Sequence, residues 1–110
     1  MADPETVICH YRLRPGAEAE FTDLLRRHWP TLRELELATD TPQRCYVGRE
    51  REVEGTVMIE IFEWASLDAA RRAHVHPKVS EIWERMGALC EDRGGRNAME
   101  FPHFQPLELA

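Results

Sequence analysis

No apolar run in this 110-residue sequence approaches the ~20 residues needed to cross a bilayer, so no membrane span is expected. Cysteine is scarce: Cys9, Cys45 and Cys90 are an odd set, with no C-x-x-C pair and no zinc-type spacing. A disulfide framework is therefore not expected, and the apolar neighbours of these residues predict buried, reduced thiols in a reducing compartment. Positive charge is in deficit, 14 Lys and Arg against 20 Asp and Glu for a net charge of −6. The Arg26-Arg27 and Arg71-Arg72 pairs are balanced by nearby acids. Such a chain repels phosphate backbones, so nucleic acid is not an expected partner. The opening "MADPET" has neither the basic nor the apolar segment of a secretory signal, and a cytoplasmic location is expected. Nucleophile elbow, phosphate loop and dinucleotide fingerprint are all missing, which sets aside acyl-enzyme and nucleotide chemistry.

What is present is a composition 43% apolar and 31% charged, that of one soluble globular domain over residues 1–110. A chain of this length buries roughly two-thirds of its unfolded surface and needs no staple. Residues Thr6 to Leu13 alternate, with Val7, Cys9, Tyr11 and Leu13 on one side and Ile8, His10 and Arg12 on the other, as a strand requires. Pro15-Gly16 ends it. From Ala17 the apolar residues Phe21, Leu24, Leu25, Leu32 and Leu35 form one helical stripe, with a kink or restart expected at Pro30.

Arg44 to Arg51 and Thr56 to Trp64 read as a hairpin turning at Val53-Glu54-Gly55. Ser66 is a candidate N-cap, with Asp68 in the first turn of the helix that follows. Past Pro77 a second stripe runs through Val79, Ile82, Trp83, Met86, Leu89 and Cys90, with Gly94-Gly95 as the stop. The last strand is expected from Ala98 to about Gln105.

The order β-α-β-β-α-β predicts an α+β, ferredoxin-like fold, a four-stranded antiparallel sheet with both helices on one face. Both sheet faces carry apolar residues. The bare face must be buried, and a second copy is the commonest cover. A homodimer is expected, its sheets facing across a dimeric α+β barrel.

Two stretches carry a family resemblance: "VICHYRLRPGAEAEF" from Val7 and "FEWASLDAARRAHVH" from Phe62. Together they resemble the antibiotic biosynthesis monooxygenase-like families of the dimeric α+β-barrel superfamily, over about residues 6 to 107. The resemblance implies a pocket between helices and sheet. It also implies a small cofactor-independent monooxygenase acting on a phenolic or quinol-type ring, needing neither metal nor flavin. Polyketide cyclases or isomerases on similar barrels, and non-catalytic ligand-binding barrels, remain the alternatives. Of the family's pattern, His74 and Trp64 transfer residue by residue. The haem-degrading branch places an asparagine on its first strand, and the only asparagine here is Asn97. The proline after His76 also departs from the oxygenases' pattern.

His74 lies seven residues past Leu67 and four past Ala70, which puts it on the inward face of the second helix. It is the candidate catalytic base, since an imidazole with a pKa of roughly 6.5 suits removal of a phenolic or enolic proton. A half-buried histidine bonded to a backbone carbonyl is the plain alternative. His28 continues the stripe of the first helix and, with Trp64, Trp83 and Tyr46, is a candidate wall for a small aromatic ligand. His76, before a proline, is a junction residue able to satisfy open amides. A His74-His76 metal site is not expected, because no carboxylate completes a ligand set. His10, Glu60 and His103 fall on strands expected to be neighbours. Glu60 needs a partner such as His10 or Arg12, either as a polar pair inside the dimer barrel or as a carboxylate orienting a histidine.

Overall fold

The structure, a computed structural model, describes residues 3–109. Its elements are β1 (Glu5–Arg12), α1 (Glu18–Glu34), β2 (Arg44–Gly48), β3 (Val57–Trp64), α2 (Leu67–Ala73), α3 (Pro77–Ala88), β4 (Met99–Glu100) and β5 (His103–Phe104). The sheet order is β2-β3-β1-β4, with β5 also on β1 and every pairing antiparallel. This is the expected ferredoxin-like α+β arrangement, with the second helix and the fourth strand each in two pieces.

Both interruptions have a proline at their centre. Pro77 is the first residue of α3, and His76 before it is extended (φ −87°, ψ 124°), with its Nδ1 accepting from the Lys78 amide at 3.2 Å. His76 is thus a cap, as its position predicted. Pro102 has no amide hydrogen to donate, so the last strand splits into β4 and β5. Its carbonyl still accepts from Ile8 at 3.1 Å, and the pairs His10–Glu100 and Thr6–Phe104 keep a single register across the gap.

Pro30 behaves differently from expectation. Helix α1 runs through it without a restart, because Phe21, Leu24, Leu25 and Leu32 on both sides of it are buried against the sheet. Full burial of four such side chains contributes several kcal/mol, enough to offset one missing hydrogen bond at about 3 kcal/mol. Helix α3 stops at Ala88, before Gly94-Gly95. The chain is pulled into pairing with the end of β1, the Arg14 amide donating to Leu89 and the Glu91 amide to Arg12. Leu89 and Cys90 therefore lie beyond the helix that the stripe predicted.

The hairpin connection is wider than three residues, since β2 ends at Gly48 and β3 starts at Val57. Arg12 explains why it stays in place. Its guanidinium is buried, forks onto Glu50 at 2.8 and 2.9 Å, and donates to Glu100 and to the Asn97 carbonyl at 2.6 Å each. The Arg12 hydrogen bonds, acting against burial and joined by Arg96, hold the Glu50 carboxyl down to about 2. At Gly55 (φ +110°) an added Cβ would meet the Arg93 guanidinium at 2.0 Å. That φ is one L side chains rarely adopt, so glycine is favoured there whatever the space.

Alternation assigns the two faces. Val7, Cys9 and Tyr11 of β1, with Met58, Glu60, Phe62 and Trp64 of β3, point into the helices and are buried. Ile8, Ile59 and Ile61 are half-buried on the open face, where Tyr46 also lies, opposite Ile59. Cys9 and Cys90 are buried free thiols, but Cys45 is exposed because β2 is an edge strand. No helix among the described residues is long and apolar enough to cross a membrane.

Ser66 caps α2 with its side-chain oxygen accepting from the Ala69 amide at 3.0 Å. Ser66→Ala should cost about 1 kcal/mol of folding stability in urea titration, with unchanged far-ultraviolet circular dichroism.

Candidate active site

Between the helices and the sheet lies a cavity of about 380 Å³, in the lower part of the ~300–1,000 Å³ range of ligand pockets. Strand β3 supplies Phe62 and Trp64, since residues of one parity face the helices. Helix α1 supplies His28, one turn on from Leu24 and Leu25 and two turns on from Phe21. Helices α2 and α3 bring His74 and Trp83. The rings form a continuous wall. His74 meets Trp83 edge-on at 4.9 Å, Trp83 meets Trp64 at 6.4 Å, and Phe62 stands between Trp64 at 4.9 Å and His28 at 5.5 Å. Offset and edge-to-face contacts of this kind also suit a flat aromatic guest.

The two histidines differ sharply. His74 caps the C-terminal end of α2 and is exposed at the cavity mouth beside Leu67 and Arg71. Its helical face is the predicted one, since Leu67, Ala70 and His74 line one cavity, but it sits at the rim instead of facing the sheet. The helix ends there, so the ring is not carried inward. No hydrogen bond to its ring exists among the described residues.

His28 is buried and fully engaged. Its Nδ1 lies 2.9 Å from both Glu60 oxygens, and its Nε2 accepts from the Trp83 indole N–H at 2.8 Å. An indole nitrogen only donates, so Nε2 is the bare nitrogen and Nδ1 carries the proton. Glu60 also accepts from the Tyr11 hydroxyl and from the Gln43 amide, each at 2.6 Å. Burial alone would raise the Glu60 carboxyl, but His28, Tyr11 and Gln43 outweigh it and lower its pKa. Burial and the Glu60 charge raise the Tyr11 phenol well above its usual value, which keeps it a donor.

The expected partners of Glu60 are corrected by the register. Cys9 stands opposite Glu60, so His10 and Arg12 point to the other face. Glu60 faces the helices, not a dimer barrel, and orients His28. The expected cluster of His10, Glu60 and His103 does not form. His10 contacts the Ile8 carbonyl on the open face, while His103 lines the cavity rim from β5. Tyr46 is excluded from the cavity because its parity on β2 turns it to the open face, where it is 52% exposed. Sequence reasoning missed Phe62, Cys9 and His103 as lining residues. The available signal was parity, since Phe62 shares that of Trp64. Among the described residues no three His, Cys, Asp or Glu side chains group at metal-ligand spacing.

Fold and cavity together define a ferredoxin-like α+β protein with a helix–sheet pocket. No protein-family model and no curated protein matches the sequence. Solved structures do match. The cofactor-independent oxygenase SnoaB from Streptomyces nogalater is 23% identical with a TM-score of 0.64, the match covering 98% of this chain and 97% of that one. A protein from Caulobacter crescentus, provisionally named an antibiotic biosynthesis monooxygenase, is 17% identical with a TM-score of 0.64, over 97% and 92%. A dimeric ferredoxin-like protein of unknown function from a Jannaschia species is 13% identical with a TM-score of 0.69, over 94% and 100%. At these identities what is shared is the fold.

The Glu60 hub makes a quantitative prediction. Glu60→Ala strands three donors and should cost about 3–5 kcal/mol in chemical denaturation, with Glu60→Gln costing less. Because the folded carboxyl is lowered from 4.5, its contribution is complete above that pH and is lost on acidification below it. The acid limb of stability against pH should therefore be shallower in Glu60→Gln than in the wild type.

Proposed function

We propose that this protein is a cofactor-independent monooxygenase-like enzyme acting on a phenolic or quinol-type aromatic compound. The observation that carries the reading is the cavity itself, an aromatic-walled space of about 380 Å³ with an imidazole, His74, at its mouth that makes no hydrogen bond to the described residues. The structural likeness to SnoaB agrees with it.

In this reading the ring lies against Trp64, Phe62 and Trp83, and His74 accepts the hydroxyl proton as general base. The exposed guanidinium of Arg71 at the same rim offsets the developing phenolate charge. The substrate anion then supplies all four electrons to dioxygen. The O–O bond breaks, a ring C–H carbon keeps one oxygen as a quinone carbonyl, and the other oxygen leaves as water with the ring hydrogen and the hydroxyl proton. A cytoplasmic setting fits the three free thiols.

The open sheet face belongs to the same proposal. Half-buried Ile8, Ile59 and Ile61, with exposed Tyr46 and Phe104 nearby, leave it apolar, and a second copy of the chain covers it by two-fold packing. That the Jannaschia neighbour is dimeric supports a dimer.

Oxygen-electrode assays with trial quinols test the chemistry. Uptake matched to product is expected, falling roughly 100-fold or more in a folded His74→Ala variant. Full activity in His74→Ala would remove His74 from the mechanism, and equal turnover without oxygen would make the protein a cyclase or isomerase. Light scattering at micromolar concentration should give twice the 12.8 kDa chain mass. A monomer would refute the dimer.

A further inference from the structure

The cavity contains one polar contact that its ring-binding walls do not need. Trp83 is half-buried on α3 and lines the cavity with its ring, yet its N–H is tied to His28 Nε2, also at the cavity wall. Glu60 fixes the proton of His28 on Nδ1, so Nε2 has only its lone pair to offer. The bond is thus a pure donor facing a pure acceptor.

We infer that this Trp83–His28 bond is the recognition point for a ring hydroxyl, which inserts between the two nitrogens, accepting from the indole and donating to Nε2. A hydroxyl is both donor and acceptor, so it opens the bond and leaves neither nitrogen without a partner. An ether or ketone oxygen accepts from the indole but leaves Nε2 bare in a buried site. A free amine is disfavoured, since the aromatic walls offer it no second acceptor. The selected ligands are flat aromatic rings carrying a free hydroxyl that reaches the inner wall while the opposite edge stays near His74.

The ionisable groups around Nε2 are consistent with a neutral ligand. Glu60 and Tyr11 stand behind His28 and are committed to each other and to Nδ1. Cys9, His103, His74 and Arg71 line the cavity from β1, β5 and α2. None of them bonds Nε2 in place of the indole. In this arrangement Glu60 is a positioning residue, acting through the tautomer of His28, and His28 is a binding residue. The inference rests on the reading that an aromatic ring enters the cavity, but it does not depend on any reaction with oxygen.

The test compares 2-naphthol with 2-methoxynaphthalene, titrated anaerobically by calorimetry, and follows the Trp83 indole N–H proton resonance, assigned by its absence in Trp83→Phe. The wild type is expected to bind the naphthol roughly five- to hundredfold more tightly, the factor set by one unpaired buried acceptor. That preference should vanish in His28→Leu. The indole resonance should shift with 2-naphthol as its acceptor changes from nitrogen to oxygen. Equal affinities in the wild type, or a preference that survives in His28→Leu, would overturn the inference. If His28→Leu does not fold, the wild-type resonance decides, and an unmoved indole signal at saturating naphthol refutes it. Hydroxyl selectivity without oxygen uptake would sink the oxygenase reading alone. Oxygen uptake on quinols with no His28-dependent selectivity would sink this one alone.

Discussion

The Glu60 carboxylate is the constraint on which the site depends. It is fully buried in a central strand, where an unpaired charge would not be tolerated, and it is kept by donors from three separate parts of the chain. Tyr11 comes from the neighbouring strand, Gln43 from the segment before β2, and His28 from the middle of α1. Gln43 also donates to the Leu25 carbonyl, so the same side chain bridges helix α1 to strand β3. Through His28 the network reaches Trp83 on α3. One charge therefore fixes the relative positions of both long helices and the sheet.

The two imidazoles of the cavity are held in different ways. His28 has its tautomer, orientation and lone pair all assigned by neighbours, which makes it a precise but inflexible group. His74, at the C-terminal end of a seven-residue helix, is exposed, meets Trp83 edge-on and has no hydrogen bond to its ring among the described residues. In the proposed reading, that freedom suits the proton transfer assigned to His74, and the rigidity suits the recognition assigned to His28. Trp83 joins the two, touching one ring by its edge and the other by its N–H.

The two faces of the sheet use polar groups for opposite ends. On the helix side the Glu60 network is internal and shapes a cavity. On the open side the Arg12 cluster ties Glu50, Glu100 and the Asn97 carbonyl together and anchors the wide connection between β2 and β3. That anchor leaves the isoleucines of the open face uncovered while protecting the end of the sheet. A charge buried by a bidentate fork and a backbone carbonyl is satisfied locally, so this region needs no partner for its polar groups.

The sequence by itself determined the element order, the ferredoxin-like topology, the cap at Ser66, the extended His76 before Pro77 and the inward stripe of α1. These follow from local chemistry, namely side-chain periodicity, capping atoms and the fixed φ of proline. It also carried a clue to the hub that parity alone would reveal, because Glu60 shares its strand face with Phe62 and Trp64, and His28 shares the stripe of Leu24 and Leu25. The tertiary structure alone decided which helix histidine met that carboxylate, since 32 residues separate the pair and only sheet register and helix docking bring them to 2.9 Å. It likewise placed Tyr46 on the open face, carried α1 through Pro30, ended α3 at Ala88 and left His74 at the rim. In each of these the outcome was set by packing between distant segments, whose energy exceeds the local preference that the sequence displays.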